Sequence, residues 1–365
     1  MRVLGFMSGT SLDGVDAAIV ETDGERIDGF GPALLLPFAA DERAALVAAT
    51  EEAVREDAVD RASPAVRAAE AVIHATHVRA AERLMAQEGG VINLIAFHGQ
   101  TVLHRPERRL TVQLGDAAAL AEALALPVVA DLRQADIAAG GQGAPLVPIY
   151  HAALADRIGA ARPVAFLNVG GVANLSWLGR DGEMAAFDTG PGNGLIDLLL
   201  QRRGVARYDE GGRIAAAGRV DEAALAALMT SRYFAATGPK SLDRYDFSLD
   251  AVAGLSDGDA AATLTEFTAR AVAMGAARLP EAPTRWLVCG GGRHNPTLMA
   301  ALARALGRVE SVDDHGLNGD FIEAEAMAFL AARSWRGLPL TFPGTTGAPQ
   351  PLTGGRLYRP ASPRN

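Results

Sequence analysis

At 365 residues the chain is long enough for two domains that each bury a core, and 49% hydrophobic against 21% charged residues excludes a disordered polypeptide. A formal net charge of −9 excludes nucleic acid and anionic membrane surfaces as partners, because no basic patch offsets phosphate repulsion. It still permits ATP, which needs only local N–H donors and a metal ion.

Hydrophobic periodicity predicts strands at 2–7, 15–21 and near 30–37, then Ala-rich helices at roughly 41–57 and 65–87. A buried strand from Ile92 to Phe97, a helix near 115–125 and a strand from Pro127 to Ala130 follow. The order then repeats, with strands near 163–169, 172–178 and 184–187 and helices at about 193–203 and 258–278. A strand from Arg285 to Cys289, a helix from about Pro296 to Leu306 and a short strand near 309–312 complete the second half. Helix caps are expected at Asp41, at Asn295 with Pro296 in the first turn, and at Asn318 or Asp320. The tail after Pro339 reads as irregular chain packed on a domain.

Strand, hairpin, strand, then alternating helices and strands, twice over, predicts a duplicated α/β fold: two mixed five-stranded sheets flanked by helices. A ligand cleft is expected between the two domains. The Gly140-Gly141-Gln142-Gly143 stretch before Ala144-Pro145 marks the boundary, so residues 1–134 plus about 340–365 form the first domain and 135–339 the second. The single cysteine, Cys289, excludes an intramolecular disulfide, fits a reducing cytoplasm, and reads as a small buried strand residue. Arg2 precedes too few apolar residues for a signal peptide, and no run of about 18 uncharged apolar residues predicts a membrane span.

Each half has a small-residue turn directly after its first strand: Met7-Ser8-Gly9-Thr10-Ser11-Leu12-Asp13-Gly14 and Asn168-Val169-Gly170-Gly171-Val172-Ala173-Asn174. Such turns aim backbone N–H groups and small hydroxyls at a phosphate, and two at equivalent places would share one nucleotide. One alone is as readily a plain hairpin. A third glycine element, Gly290-Gly291-Gly292 before Arg293-His294-Asn295-Pro296, joins a strand to a helix N-terminus; it lacks both the Rossmann and the Walker spacing. Asp188, in Phe187-Asp188-Thr189-Gly190-Pro191-Gly192-Asn193, is an isolated carboxylate beside a glycine-rich bend. It reads as a reactive acid or as the cap of the following helix. A phosphate cradle with an isolated acid points to phosphoryl transfer. His98, His104, His151, His294 and His315 show no metal-ligand spacing, and His98 reads as a hydrogen-bonded structural residue.

This arrangement resembles the sugar kinase, Hsp70 and actin superfamily, whose domains are actin-like, or ribonuclease H-like. Within it the chain resembles the anhydro-N-acetylmuramic acid kinase family over nearly its whole length. The matching segments are Met7 to Asp16, His98-Gly99-Gln100-Thr101, Gln113-Leu114-Gly115-Asp116 and Gly140 to Leu146. Asn168 to Asn174, Phe187 to Asn193, Glu323-Ala324 and Pro343-Gly344-Thr345-Thr346-Gly347 continue the match. The resemblance implies a cytoplasmic, dimeric enzyme that uses ATP and water to open the anhydro bridge and phosphorylate the freed six-hydroxyl. The product is N-acetylmuramate 6-phosphate, in peptidoglycan recycling.

It further implies Asp188 as the base that activates water, and an ATP-binding stretch formed by Gly9, Thr10, Ser11, Leu12, Asp13, Gly14, Val15 and Asp16. Gly170, Gly171, Asn174, Gly290, Gly291 and Gly292 complete the nucleotide side. Gln100, Arg133 and Glu323 match positions near the sugar, where Arg133 could fork to the lactyl carboxylate or instead make a structural ion pair. Glu323 could equally be a solvated carboxylate on its helix face. Mg²⁺ is expected with ATP; Asp13 or Asp16 could hold it through water, or Asp13 could close a turn, so its ligands stay open. The family's Lys-Ser-Thr-Gly-Arg-Glu is replaced here by Lys240-Ser241-Leu242-Asp243-Arg244-Tyr245, and its Asp-Phe-Arg by Asp131-Leu132-Arg133, a change confined to packing. Two other readings are a kinase acting directly on a hydroxyl of another amino sugar, and a non-metabolic ATPase of the same superfamily. The latter needs inserted domains for which this chain has no room.

Overall fold

The computed structural model describes residues 1–87, 89–235 and 247–361. In chain order, the first part contains β1 (Arg2–Ser8), β2 (Gly14–Thr22), β3 (Ile27–Pro37), α1 (Ala40–Glu56) and α2 (Pro64–Gln87). It continues with β4 (Leu94–Arg105), β5 (Leu110–Leu114), α3 (Ala117–Leu124), β6 (Val128–Ala130), α4 (Gln134–Ala138) and α5 (Pro148–Arg157). The middle part holds β7 (Val164–Val169), β8 (Val172–Leu178), β9 (Met184–Pro191), α6 (Gly194–Arg202), α7 (Arg213–Ala217) and α8 (Glu222–Met229). After these come α9 (Asp257–Ala276), β10 (Trp286–Cys289), α10 (Pro296–Leu306) and β11 (Val309–Ser311). The chain ends with α11 (Ile322–Trp335), α12 (Pro343–Thr346) and β12 (Arg356–Tyr358).

The two sheets repeat one topology. In the first, β1 pairs antiparallel with β2, β2 antiparallel with β3, and β1 and β6 lie parallel on either side of β4. In the second, β7, β8, β9, β10 and β11 reproduce that pattern strand for strand. The duplication read from the sequence is therefore a duplication of topology. The second sheet has the expected five strands, whereas the first has seven, because β5 pairs with β4 and β12 pairs with β6. The tail after Pro339 is thus not wholly irregular: its last strand extends a sheet edge whose backbone groups would otherwise lack partners.

The central strands explain their own composition. β1 and β7 are almost continuously buried, as strands covered on both faces must be, so they read as apolar runs rather than alternating ones. Gly5 has a further role. A Cβ there would collide with the Ala324 carbonyl oxygen and lie 2.6 Å from the Ala328 nitrogen, so β1 meets the backbone of α11 directly. Cys289 is buried on β10, as expected.

Two of the expected caps are displaced. α1 begins earlier than Asp41: its cap is Ala39, whose N–H donates to the Glu42 carboxylate at 2.8 Å. α11 is capped by neither Asn318 nor Asp320 but begins after Phe321. The Asp320 carboxylate is engaged instead by the Arg293 guanidinium at 2.7 Å. The third is as expected: Asn295 Oδ1 accepts the Leu298 N–H at 3.0 Å, with Pro296 in the first turn.

The chain forms two compact units, Met1–Arg157 with Phe321–Asn365, and Ile158–Asp320. Residues 135–157 and 321–339, assigned to the second domain from sequence, lie in the first unit. α5 and α11 are joined there by a buried pair, Tyr150 donating to Glu325 Oε2 at 2.7 Å. Burial holds the Glu325 carboxyl up at about 7, opposed by the Tyr150 hydrogen bond. Because this folded-state pKa lies above the unfolded value, the neutral acid contributes stability at low pH, lost as pH rises from about 4.5 through 7. Glu325→Gln should therefore melt near wild type at pH 4.5 and increasingly above it at pH 7 to 8. A constant difference in melting temperature across that range would show that Glu325 does not titrate there.

Candidate active site

The first unit holds the Gly9 turn and the residues assigned to the sugar. Between β1 and β2, the Leu12 N–H donates to the Gly9 carbonyl at 3.2 Å. Leu12 itself takes a left-handed backbone, φ 56°, unfavourable for a branched side chain. Its buried side chain anchors in the core, and Arg43 on α1 donates from Nε to the Leu12 carbonyl at 3.2 Å. Arg43 carries no sequence motif and was missed, because only the folded turn brings Leu12 to α1.

The glycines of the nucleotide stretch fall into two kinds. A Cβ on Gly14 would sit 2.5 Å from the Leu36 carbonyl oxygen, so glycine is required there by strand packing. A Cβ on Gly9 meets only Ser11 Oγ, at 3.8 Å, and Gly9 has no left-handed φ. Packing therefore does not require glycine at position 9. Gly9→Val should leave the melting temperature unchanged and weaken ATP binding by about tenfold or more, read by calorimetric titration. Unchanged ATP affinity would remove Gly9 from the cradle.

Gln100 on β4 lies beside Ser8 on β1 and is fully buried. Its Nε2 donates to the Gly9 carbonyl at 3.2 Å, so in this structure Gln100 braces the turn between β1 and β2. Gln100 Oε1 is buried with no hydrogen-bond partner among the described residues.

Arg133 precedes α4 and is held by two neutral acceptors, His98 Nε2 at 2.9 Å and the Gly143 carbonyl at 2.6 Å. His98 Nδ1 lies 2.8 Å from the Gly99 carbonyl, which places the ring proton on Nδ1 and leaves Nε2 to accept from Arg133. Burial and the nearby Arg133 cation push His98 down to about 3. His98 is thus a hydrogen-bonded structural residue, as read from sequence, and the structure adds its task of aiming Arg133. Burial also lowers Arg133 to about 10, countered by the charges of Glu323 and Asp136. Glu323, at the start of α11, is half-buried and acts electrostatically on Arg133, rather than lying on a solvated helix face. Leu132 beside it is buried, so that departure from the family pattern is indeed one of packing.

The second unit holds Asp188. It lies on β9, and the cap position of α6 is Asn193, which makes no side-chain cap hydrogen bond; Asp188 therefore does not stand at the cap of that helix. In register, Asn168 on β7 faces Asn174 on β8, and Asn174 faces Asp188. Opposed residues share a sheet face, so these three polar residues form one row. Thr189 is the extra residue of a bulge just beyond it, with its hydroxyl on the Ala173 carbonyl at 3.0 Å. The Asp188 carbonyl accepts the Tyr233 hydroxyl at 2.6 Å.

Beside that row, the N–H groups of Gly192 and Gly194 bond the Gly171 carbonyl and that of Asn193 bonds the Gly170 carbonyl, at 2.8 to 3.1 Å. A Cβ at Gly192 would strike the Gly170 oxygen, which explains the glycines after Asp188: they let the second turn lie on the start of α6. Gly170 and Gly171 themselves have open space at Cβ, like Gly9. In the third element Gly291 is open, whereas Gly290 and Gly292 are pressed against Asn168 and Val169 and are structural. Arg293, another residue missed, locks this element by donating to Asp313, Asp320 and the Gly290 carbonyl at 2.7 to 3.0 Å. Lys240 and Arg244 lie outside the described residues; Phe247 is buried against Phe234 and Phe267.

The profile of the anhydro-N-acetylmuramic acid kinase family matches residues 1–360. The chain belongs to the anhydro-N-acetylmuramic acid kinase family. Relatives bearing that name include one from Caulobacter vibrioides, 53% identical with 98% of both chains covered. Another, from Phenylobacterium zucineum, is 52% identical over 99% of this chain and 100% of its own. Among solved structures, a ROK family glucokinase from Streptomyces griseus in complex with glucose and AMPPNP aligns with 91% of this chain and 100% of its own. Its identity is 14% and its TM-score 0.40, too low to carry an argument. Membership of the anhydro-N-acetylmuramic acid kinase family makes the protein an enzyme, a phosphotransferase that uses ATP. Among the described residues no helix is long and apolar enough to cross a membrane, and no group of three or more His, Cys, Asp or Glu residues could hold a metal ion.

Proposed function

We propose that the protein converts 1,6-anhydro-N-acetylmuramic acid, ATP and water into N-acetylmuramate 6-phosphate and ADP, a salvage step for peptidoglycan fragments in the cytoplasm. The observation that carries this reading is the family match across residues 1–360, which includes every residue assigned a role below. Asp188 accepts a proton from water as the water oxygen bonds to the anomeric carbon. The bond from that carbon to the bridging oxygen breaks, and this oxygen attacks the γ-phosphorus. The bond between the β,γ-bridging oxygen and that phosphorus then breaks, and ADP leaves. The reaction is half of an inverting glycosidase, with the phosphoryl group taking the place of a protein acid on the departing oxygen.

At Gly9, Gly171 and Gly291 the backbone has open space where a Cβ would stand, which leaves phosphate oxygens room to approach, whereas the Gly170 N–H is already donated to the Val172 carbonyl at 3.1 Å. Arg133 and Glu323 bind the sugar, and Gln100 acts there through the Gly9 carbonyl it braces. The donors near the first turn fit Mg²⁺, since exposed Asp13 ends the turn, half-buried Asp16 follows on β2, and this ion usually keeps several waters with one or two carboxylates. Bound there through water, Mg²⁺ would neutralise phosphate charge. The family resemblance also supports a homodimer, which light scattering would check.

Reaction in oxygen-labelled water tests the chemistry. Label at the anomeric position of a 6-phosphorylated product is expected. Phosphorylation without label would indicate a kinase acting directly on a hydroxyl, and ATP hydrolysis indifferent to the sugar would indicate an ATPase.

A further inference from the structure

We propose that Thr346 and Asp136 are positioning residues that aim the Arg133 guanidinium at the carboxylate of an acidic sugar. The proposal rests on the role given to Arg133 above. Two segments singled out in the sequence, Gly140 to Leu146 and Pro343 to Gly347, have so far no task, and the structure joins them. Asp136 is buried, and its Oδ1 accepts the Gly143 N–H at 2.6 Å. Its Oδ2 accepts the hydroxyl of fully buried Thr346, also at 2.6 Å. The Thr346 carbonyl in turn accepts the Gln142 N–H at 2.7 Å, and the Gly141 N–H donates to the Asp136 carbonyl at 2.9 Å. A Cβ on Gly141 would press into the Asp136 carboxylate, so glycine there lets the loop close around it.

The consequence falls on the Gly143 peptide. Its N–H is fixed by Asp136 and its carbonyl receives Arg133 Nη1, so the clamp sets the oxygen that orients the guanidinium. Both acceptors of Arg133 are neutral, and they take two of its five N–H donors. A half-buried cation with donors left over is suited to a forked carboxylate, whose strength depends on angle as well as distance. Without the Thr346 hydroxyl, Asp136 Oδ2 becomes a buried acceptor with no donor. The carboxylate can then rotate off Gly143, and the fork loses its alignment.

The test measures kcat and KM on 1,6-anhydro-N-acetylmuramic acid and on its neutral carboxamide, for wild type, Thr346→Val, Thr346→Ser, Asp136→Asn and Arg133→Ala. Thr346→Val should raise KM for the acid by about tenfold while leaving KM for ATP within about twofold. Its preference for acid over amide should fall by the same factor, with Thr346→Ser restoring both. Asp136→Asn should shift the preference in the same direction and serves if the valine variant does not fold. If Arg133→Ala abolishes the preference while the Thr346 and Asp136 variants keep it, the positioning role is overturned. If Arg133→Ala itself keeps the preference, the carboxylate-binding role of Arg133 fails, and the clamp proposal with it. A uniform loss on both sugars and on ATP would mark the clamp as ordinary fold support and overturn the proposal equally.

Discussion

Asp188→Asn is expected to lower turnover by roughly two to four orders of magnitude while ATP still binds with wild-type affinity. The substitution preserves shape and one carbonyl-type acceptor, and it removes the group able to take a proton. Its effect should not pass through stability. Asp188 does not occupy the cap position of α6, and its backbone on β9 is held by the Tyr233 hydroxyl and the pairing with Asn174. The melting temperature should therefore hold while single-turnover formation of the phosphorylated sugar collapses. Near-normal turnover would move proton removal to another residue and leave Asp188 as one member of a polar row on the second sheet.

Gly5→Val should have the largest effect on stability. Any Cβ at position 5 collides with the Ala324 carbonyl, and the neighbouring Ala328 Cβ would be only 2.9 Å away. These obstacles are helix backbone and a β-carbon, which cannot rotate aside, so α11 must lift from β1. The cost is about 3 kcal/mol or more, at the upper end of overpacking penalties, since α11 is buried along nearly its whole length. For a unit of this size the first melting transition should fall by roughly 6–12 °C. Glu323 begins the same helix, so activity should fall with it. An unchanged transition would show that α11 is not seated on β1 as described. The pairing of Gly5→Val with Gly9→Val separates two glycines four residues apart: the first makes room for a helix, and the second has open space at its Cβ.

The elements legible in the sequence were those whose environment is set by near neighbours. β1 and β7 read as apolar runs because both faces are covered, and the turns after them read as cradles because glycines and small hydroxyl residues open them. Asn295 with Pro296 marked a helix start because a cap acts within three residues. Asp41 and Asp320 were misread for the complementary reason. Either could cap by type, but Glu42 closes back on Ala39 and Asp320 is taken by an arginine 27 residues earlier. The domain to which 135–157 and 321–339 belong was equally hidden, since it depends on Tyr150 meeting Glu325 across 175 residues.

The duplicated order of strands, the two small-residue turns, the isolated acid and the family are all written in the order of residues. These are local patterns of polarity, size and spacing that survive in an extended chain. Folding was needed to settle which glycines face open space, that β9 carries Asp188 short of the cap position of α6, and how His98, Gly143, Asp136 and Thr346 hold Arg133. The hold on Arg133 depends on groups apart in the chain lying within about 3 Å, and the open glycines on no group lying near, both set by the packing of whole elements rather than by local preference.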